Sequence, residues 1–324
     1  MTSKSDEECE KALQEFVRIT NTDEACAHFF LQDTDWELGP ALNNFYAKSA
    51  GVKEPLPPKT SSRTEMVDTA TTSRKRKISD ESFTIMSWNI DGLDRCNLAT
   101  RFKAVCFVIS SVSADAVFLQ EVTPELVDDL KSNLRREYSI LLATPHQPYF
   151  TAVLLKPNVE LLDHNVILYE TSGMGRAMQI VEGRRRGRHI KLLNTHLEST
   201  MECSSIRKEQ LNQCFALMDT WKNCGDLAVF GGDLNLRDKE VGGIPSGISD
   251  AWISAGSDKN CKFTWDTIAN GNKGSIKARC RFDRFYWNSC GPLQSASFRL
   301  CGQNRIRSCL CFPSDHWAIV AEFR

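Results

Sequence analysis

The sequence lacks any uninterrupted apolar run of about 18 residues, the length that a helix needs to cross a bilayer. It also lacks an apolar segment behind basic residues near its start, so we expect neither a membrane span nor a secretory signal. The 13 cysteines are scattered, odd in number and form no CxxC pair. This spacing argues against a disulfide framework and a zinc site, and it predicts reduced intracellular thiols.

The chain has little net charge of either sign, but that charge is unevenly distributed. The total is −1, whereas residues 1–50 carry ten acidic and four basic side chains, or −6. The rest of the chain therefore carries +5, a surplus too small to predict nucleic-acid binding by itself. Charge alone excludes no class of substrate.

Residues 5–50 have the apolar periodicity of three short helices. Leu13, Phe16 and Val17 share one helical face, and Phe30 and Phe45 lie in the two later helical patterns. So small a bundle buries little apolar surface, which favours an interaction module. The segment ACAHFFLQDTDWELGPALNNFY resembles the last two helices of ubiquitin-associated (UBA) domains and so implies ubiquitin as a partner. The alternative is a helical cap that packs on the larger domain.

Residues 51–82 are rich in Pro, Ser, Thr and charge and poor in large apolar residues. This composition predicts a flexible linker between two domains. Residues 74–77 of the linker are RKRK, a compact basic cluster of the kind that nuclear-import receptors recognise. We therefore expect the protein in the nucleus, with the cytoplasm as a second location.

Residues 83–324 alternate short apolar runs with a few helical patterns. The runs FTIMSW, AVFLQ, YSILLAT, FTAVLLK, HNVILY, AMQIV, HIKLLNTH, LAVFGG, RFYW and WAIVAEF predict strands. Long helical patterns occur only near residues 98–112, 124–136 and 205–222, too few for a helix after every strand. The pattern predicts a mixed α/β sandwich rather than a barrel or a Rossmann fold. The run GRRRGR at residues 183–188 predicts a hairpin turn.

Several of these predicted strands end in a polar residue that their apolar neighbours do not explain. Because open α/β folds bind ligands at strand ends, these side chains could meet in one site. The set comprises Asn89, Glu121, His196, Asp233, Asn235 and His316.

Six motifs follow one another along this part of the chain: WNIDGL (88–93), LQE (119–121), THLEST (195–200), GDLNLRD (232–238), RFDR (281–284) and SDHW (314–317). In this order they resemble the exonuclease, endonuclease and phosphatase superfamily. With YFTA (149–152) and FTWDT (263–267), the resemblance is to its branch of 5′-tyrosyl-DNA phosphodiesterases. It implies a four-layer α/β sandwich, with two mixed sheets flanked by helices, besides the small N-terminal three-helix domain.

The chemistry of phosphodiester hydrolysis explains the residue types in these motifs. A divalent cation on a nonbridging oxygen and an oriented water are needed, because the substrate is an anion that repels nucleophiles. Glu121 supplies a hard carboxylate for Mg²⁺, with Mn²⁺ as an alternative, and Asn89 would help to place the ion and the phosphate.

The remaining motif residues would act on the water and the phosphate. Asp233 follows a Gly-Gly pair that permits a tight turn, and it would hold the attacking water. Asn235 would fix the phosphate, since the i, i+2 spacing points both side chains to one side of an extended segment. His316 would donate to a phosphate oxygen, and the resemblance implies that Asp283 orients it. Asp315 would point to the other face.

Substrate contacts are assigned by the same resemblance. Tyr149 and Arg176 could form a cation–π pair that walls the site for a peptide stub. Arg237 would contact DNA through its guanidinium group. The residues that would contact the terminal nucleotides are His196, Ser199 and Trp265.

The resemblance predicts a monomeric, Mg²⁺-dependent enzyme that hydrolyses the bond between a DNA 5′-phosphate and the tyrosine of a trapped topoisomerase 2. The product would be a 5′-phosphate that DNA repair can use. Two alternatives remain open: an apurinic-site endonuclease or phosphatase of the same superfamily, and a ubiquitin-binding adaptor whose catalytic fold is inactive.

Overall fold

The computed structural model describes residues 6–20, 27, 30–31, 34, 36–49, 82–222, 226–273, 277–290 and 295–324. The chain divides into two compact units, Met1–Ser82 and Phe83–Arg324. The predicted linker, with its RKRK cluster, lies outside the described residues except for Ser82. Among the helices of the described part, none combines the length and the apolar character needed to span a membrane.

The first unit contains two helices whose backbone is described throughout, α1 (Asp6–Thr20) and α2 (Leu38–Ser49). The middle helical pattern lies partly outside the described residues. Phe16, Phe30 and Phe45 come from the three predicted helices, and their ring centroids are 5.3–5.8 Å apart. This aromatic cluster explains how so short a segment forms a core of its own, because aromatic rings bury more area than other side chains.

The second unit contains four α-helices, four short 3₁₀-helices and 14 strands among its described residues. The α-helices are α3 (Leu98–Val112), α4 (Val127–Leu134), α5 (Ser204–Thr220) and α6 (Ala251–Ser254). The strands are β1 (Phe83–Asn89), β2 (Ala116–Val122), β3 (Ser139–Leu142), β4 (Phe150–Leu155), β5 (Glu160–Leu168), β6 (Ala177–Arg185), β7 (Arg188–His196), β8 (Leu227–Asp233), β9 (Ser249–Asp250), β10 (Trp265–Asp266), β11 (Arg279–Cys280), β12 (Asp283–Asn288), β13 (Ser295–Cys301) and β14 (Ala318–Phe323).

Twelve of these strands form two six-stranded sheets, ordered β13-β14-β1-β2-β4-β3 and β5-β6-β7-β8-β12-β9. Each sheet has one parallel pair, β1 with β2 and β7 with β8, among antiparallel neighbours. Apolar side chains of both sheets, including Phe118 and Phe285, form one buried core between them. Helix α5 packs on the opposite face of the second sheet through Leu211, Phe215 and Met218. The predicted fold class, two mixed sheets flanked by helices, is confirmed.

The backbone can be compared with the sequence at one predicted turn and at one strand that the sequence did not predict. Strands β6 and β7 pair up to Arg185 and Arg188, so Arg186 and Gly187, both with positive φ, form a two-residue hairpin turn within GRRRGR. Strand β13 was not among the predicted strands. It pairs with β14 through a register shift near Ser295.

Candidate active site

Asn89 and Glu121 lie at the carboxyl ends of two parallel neighbours, β1 and β2. The Asn89 Nδ2 donates to Glu121 Oε1 at 3.1 Å and to Asp233 Oδ2 at 3.0 Å. The Asn89 Oδ1 accepts the backbone N–H of Asp91 at 3.0 Å. Both amide protons and the amide oxygen are therefore engaged, which fixes the orientation of the amide between the two carboxylates.

Glu121 reaches the site from an irregular point in β2. Its φ is 59°, and the pairing of β2 with β4 shifts between Leu119 and Val122. A side chain at position 92 would collide with the carbonyl oxygen of Glu121, so only glycine allows the β1–α3 loop to approach this closely. This bulge directs the Glu121 carboxylate towards Asn89 at the strand end.

Asp233 ends β8, and the two glycines before it lie inside the strand rather than in the predicted tight turn. A Cβ at Gly231 would lie 2.5 Å from the carbonyl oxygen of Arg284 in β12. A Cβ at Gly232, whose φ is 134°, would overlap the carbonyl oxygen of Thr195 in β7. The Gly-Gly pair therefore lets β7, β8 and β12 approach closely, and this close pairing positions Asp233.

Neighbouring donors use three of the four lone-pair positions on the Asp233 carboxylate. Oδ1 accepts the backbone N–H of Asn235 at 3.0 Å, and Oδ2 accepts Asn89 Nδ2. His196 Nε2 lies 3.3 Å from the same Oδ2. One position on Oδ1 remains for a further donor such as a water molecule.

The contacts of His196 determine its tautomer. Its Nδ1 lies 2.7 Å from Arg176 Nη1, and a guanidinium can only donate. Nδ1 must therefore accept, so the ring proton is on Nε2 and points at Asp233. His196 thus connects Arg176 to Asp233 through one imidazole ring.

His316 and Asp283 form a buried pair beside Asp233. His316 Nδ1 lies 2.9 Å from Asp283 Oδ2, and the backbone N–H of Asp283 donates to Thr264 Oγ1 at 3.0 Å. His316 Nε2 lies 3.7 Å from Asp233 Oδ2, beyond hydrogen-bond distance. Asp283 therefore orients the ring, while Nε2 faces the side of Asp233 where a phosphate oxygen could bind.

The buried charges shift one another's pKa values. Burial raises the pKa of Asp233, but His316, His196 and the hydrogen bond from Asn89 outweigh it, and the pKa lies below that of an ordinary aspartate. Burial lowers the pKa of His316, but Asp283 and Asp233 outweigh it, and the pKa lies well above that of an ordinary histidine. Burial raises the pKa of Asp283 despite the nearby His316. Asp233 is therefore an anion and His316 a cation at neutral pH.

Asn235 is close to Asp233, but not through the extended backbone that the sequence predicted. Its φ is 51°, and its N–H turns back to Asp233 Oδ1. Its Nδ2 donates to the carbonyl oxygen of Leu197 at 3.2 Å. A left-handed Asn in a tight Asx-type turn, rather than i, i+2 strand geometry, brings the two side chains together.

Tyr149 and Arg176 form the predicted cation–π pair, with the guanidinium carbon 5.0 Å from the ring centroid. Arg176 is buried, and its Nη2 donates to Ser199 Oγ at 3.0 Å. Tyr149, Arg176 and His196 line one small cleft with Thr144 and Gly175. The structure therefore joins three of the predicted substrate-binding side chains into one wall next to Asp233.

Arg237 precedes a short 3₁₀-helix and Trp265 begins β10, both in the second unit. The Arg237 side chain is 31% exposed, and its Nη1 is 3.8 Å from Glu240 Oε2. Trp265 is half-buried, pairs by its backbone with His316, and donates its indole N–H to Asp315 Oδ2 at 3.0 Å. Asp315 therefore binds Trp265 instead of joining Asp283 at the imidazole.

The donor set fits a hard divalent cation. Asp233, Asp283 and His316 offer ligand atoms within 4.8 Å of one another. The His316 and Asp283 side chains already bind each other, however, whereas the only donor to the Glu121 carboxylate among the described residues is Asn89. The oxygen atoms of Glu121 and its neighbours are thus the part of the site best suited to Mg²⁺-like ions.

Sequence reasoning missed the amide network behind the site, between the two sheets. Gln120 Nε2 donates to Asn194 Oδ1 at 2.8 Å, and Asn194 Nδ2 donates to the carbonyl oxygen of Ala152 at 3.0 Å. Thr151 Oγ1 lies 3.0 Å from Gln179 Oε1 in the same layer. The available signal was a polar residue inside an apolar strand, as in AVFLQ and KLLNT. This network supports β2 and β7, which carry Glu121 and His196 at or next to their ends.

Fold and site together define a class of enzyme. Residues 86–316 match the Endonuclease/Exonuclease/phosphatase family, and residues 10–51 match the UBA-like domain. The chain belongs to this family of hydrolases, and the resemblance seen in the sequence motifs is confirmed.

Full-length relatives narrow the family to one branch. The chain is 44% identical over 321 residues to the 5′-tyrosyl-DNA phosphodiesterase of Caenorhabditis elegans, covering 97% of this chain and 87% of the relative. It is 35% identical to human tyrosyl-DNA phosphodiesterase 2, covering 94% and 90%. The crystal structure of D. rerio TDP2 complexed with single strand DNA product is 34% identical, with a TM-score of 0.71 and coverage of 76% and 100%. Within its family, the chain belongs with the tyrosyl-DNA phosphodiesterases.

Proposed function

We propose that this chain is a divalent-metal-dependent 5′-tyrosyl-DNA phosphodiesterase. The observation that carries the proposal is a continuous line of contacts from Tyr149 through Arg176 and His196 to Asp233. These contacts link the Asp233 carboxylate, which could hold an attacking water, to the aromatic and cationic wall formed by Tyr149 and Arg176. Such a wall suits a substrate that has an aromatic leaving group beside a phosphate.

Asp233 would hold the attacking water. Its lowered pKa keeps it ionised, and the remaining position on Oδ1 can accept a proton of that water. His316, held protonated by Asp283, would donate from Nε2 to a phosphate oxygen as charge develops there. Asn235, next to Asp233, would help to fix the phosphate.

Glu121 would hold the cation, and Asn89 would keep its carboxylate oriented. We propose Mg²⁺, with Mn²⁺ as an alternative, because the available donors are oxygen atoms. When bound, the cation would polarise a nonbridging phosphate oxygen and offset its negative charge.

The leaving group is the tyrosine phenolate, whose reference pKa is about 10, so it needs little help from a general acid. Tyr149 and Arg176 would wall the space that it occupies. Ser199, Trp265 and Arg237 would contact the DNA strand on the other side of the phosphate. Ser199 would lie where the two parts of the site meet, because its Oγ also accepts from Arg176 Nη2.

The natural substrate that we propose is the peptide adduct left by a trapped topoisomerase 2. The enzyme would act as a monomer in the nucleus, with the cytoplasm as a second location. The UBA-like domain would bind ubiquitin. These proposals rest on the sequence resemblance and on the family of the chain.

The activity is tested with three substrates, each with and without Mg²⁺: a 5′-phosphotyrosyl single-stranded oligonucleotide, a duplex with an internal abasic site, and a phosphate monoester. We expect Mg²⁺-dependent release of tyrosine from the first only. Incision of the abasic duplex or release of inorganic phosphate, without tyrosine, would favour an endonuclease or phosphatase. No turnover of any of the three substrates would favour the ubiquitin-binding adaptor.

The metal assignment is tested with Glu121→Ala and its matched control Glu125→Ala, an exposed acid four residues along the chain. Loss of the main oxygen ligand should raise the Mg²⁺ concentration for half-maximal activity by about tenfold or more. An unchanged Mg²⁺ titration for Glu121→Ala would place the ligand elsewhere.

A further inference from the structure

Glu198 is a buried acid that the reaction described above does not use. It follows β7 in the THLEST motif, and only 1% of its surface is exposed. Within the described ranges, its carboxylate forms no ion pair and instead accepts Ser172 Oγ at 2.8 Å, Gly173 N at 2.9 Å and Gln210 Nε2 at 3.2 Å. Burying a carboxylate with only dipoles as partners is costly, so three such donors indicate a site built to hold it.

Glu198 acts on the 172–176 loop through the hydroxyl group of Ser172. That oxygen accepts the backbone N–H of Met174 at 3.2 Å and that of Arg176 at 2.8 Å. Both lone pairs are then used, so the single hydroxyl proton points at Glu198. The Glu198 carboxylate thereby fixes the direction of the Ser172 hydroxyl group. Through that hydroxyl it also fixes the backbone of Met174 and Arg176.

The same short segment also holds the other end of Arg176. Its guanidinium binds His196 Nδ1 at 2.7 Å and Ser199 Oγ at 3.0 Å, and these residues flank Glu198 in the sequence. The backbone of Arg176 is thus held through Ser172 and Glu198, and its guanidinium group is held by His196 and Ser199. An arginine fixed at both ends can support the Tyr149 ring in one position.

We propose that Glu198 is a positioning residue that sets the recognition of the aromatic leaving group. It does so by holding the 172–176 loop so that Arg176 faces Tyr149. This inference rests on the proposed tyrosyl-DNA phosphodiesterase activity. It assigns Glu198 to the leaving-group side of the site and not to the DNA side.

The test uses Glu198→Gln, which keeps the shape of the side chain. It replaces one acceptor oxygen with an NH₂ group that would face the donors that now bind the carboxylate. The matched control is Glu209→Gln, an exposed acid next to Gln210 on α5. Ser172→Ala is a second, milder variant, because it removes the link to Arg176 and leaves Glu198 with two donors. If Glu198 acts through Ser172, the double variant should lose no more than Glu198→Gln alone.

Three quantities are measured: KM and kcat for a 5′-phosphotyrosyl oligonucleotide, the Ki of the 5′-phosphorylated product oligonucleotide, and amide hydrogen exchange. For Glu198→Gln we expect KM to rise about tenfold with little change in kcat, because leaving-group binding is lost. The Ki should stay within about twofold, because the product has no leaving group. The amides of Met174 and Arg176 should exchange faster while those of β8 do not change.

Each other outcome counts against the proposal. Equal increases in KM and Ki would place Glu198 on the DNA side of the site. An unchanged KM with faster amide exchange would show that Glu198 holds the 172–176 loop but has no role in recognition. Unchanged amide exchange of Met174 and Arg176 would show that Glu198 does not hold this loop. If the native enzyme released no tyrosine, the proposed activity and the recognition role would fail together, while the exchange data would still decide whether Glu198 holds the loop.

Discussion

Asp233 illustrates how much of the chemistry is decided by single atoms. Three donors occupy its carboxylate, and the remaining position lies on Oδ1. His316 approaches Asp233 without a hydrogen bond, so its Nε2 can donate to a substrate. The anion and the cation thus lie side by side with different partners, which is the arrangement that water activation and phosphate stabilisation require.

Replacing Asp233 with Asn should lower kcat by roughly 10² or more while KM changes little, because the carboxylate acts on the water and not on substrate binding. Steady-state kinetics on a phosphotyrosyl oligonucleotide measure both constants. The matched control is Asp163→Asn on the exposed strand β5, which should leave both unchanged. A near-normal kcat for Asp233→Asn would remove this residue from the mechanism.

Replacing Asp283 with Asn should shift the pH dependence of kcat/KM. Burial lowers the pKa of His316 and Asp283 raises it, so the pKa falls when the carboxylate is lost. The imidazolium then loses its proton at a lower pH, and the alkaline limb of the profile should move to lower pH. If the limb stays where it is in the native enzyme, its titration does not belong to His316.

At the scale of elements, the sequence predicts strands that contain an uninterrupted apolar run, whether the strand is buried like β4 or largely exposed like β5. Strands β1, β2 and β8 are also of this kind, and each carries a polar site residue at or next to its end. Strand β13 was not predicted, because SASFRLC mixes small polar and apolar residues at the edge of its sheet.

The sequence could not predict site geometry that depends on backbone conformation or long-range pairing. Asn235 and Glu121 adopt positive φ, which residues other than glycine seldom do. The glycines before Asp233 looked like a turn, because only the pairing with β7 and β12 reveals the close approach that they allow. Residues far apart in sequence, such as Glu198 and Ser172, meet only after the sheets have formed.

Replacing Asn194 with Leu tests the amide network between the sheets. The variant removes the buried acceptor of one Gln120 Nε2 proton, while the other proton keeps Ser87 Oγ. It also removes the side-chain donor to the carbonyl oxygen of Ala152, and together these losses should cost about 3 kcal/mol of unfolding free energy. Urea denaturation measures the loss. Asn165→Leu on the exposed strand β5 is the control and should change stability by about 0.5 kcal/mol or less. Similar losses for both variants would show that the network is not a special source of stability.

At the scale of the whole molecule, the chain contains two compact units with separate cores. The aromatic cluster of the first unit contains Phe16, Phe30 and Phe45, whereas the core between the sheets consists of residues from Phe83 onwards. Every side chain assigned to the proposed reaction also belongs to the second unit. We therefore expect the first unit to influence where the enzyme acts and to take no part in the cleavage reaction.

A variant that begins at Ser79 should fold and keep full turnover on short phosphotyrosyl DNA. The physical reason is that it retains both sheets, their shared core and every proposed catalytic side chain. Thermal unfolding and steady-state kinetics, compared with the full chain, measure the two properties. Loss of folding or of kcat would mean that the N-terminal helices contribute to the catalytic unit.

The central claim is that water attacks phosphorus and tyrosine leaves. It is tested most directly by running the Mg²⁺-supported reaction of a 5′-phosphotyrosyl oligonucleotide in ¹⁸O-labelled water and analysing both products by mass spectrometry. We expect a 5′-phosphate that carries one labelled oxygen and a free tyrosine that carries none. A 5′-hydroxyl oligonucleotide with labelled phosphotyrosine, or a label in the tyrosine, would contradict the account.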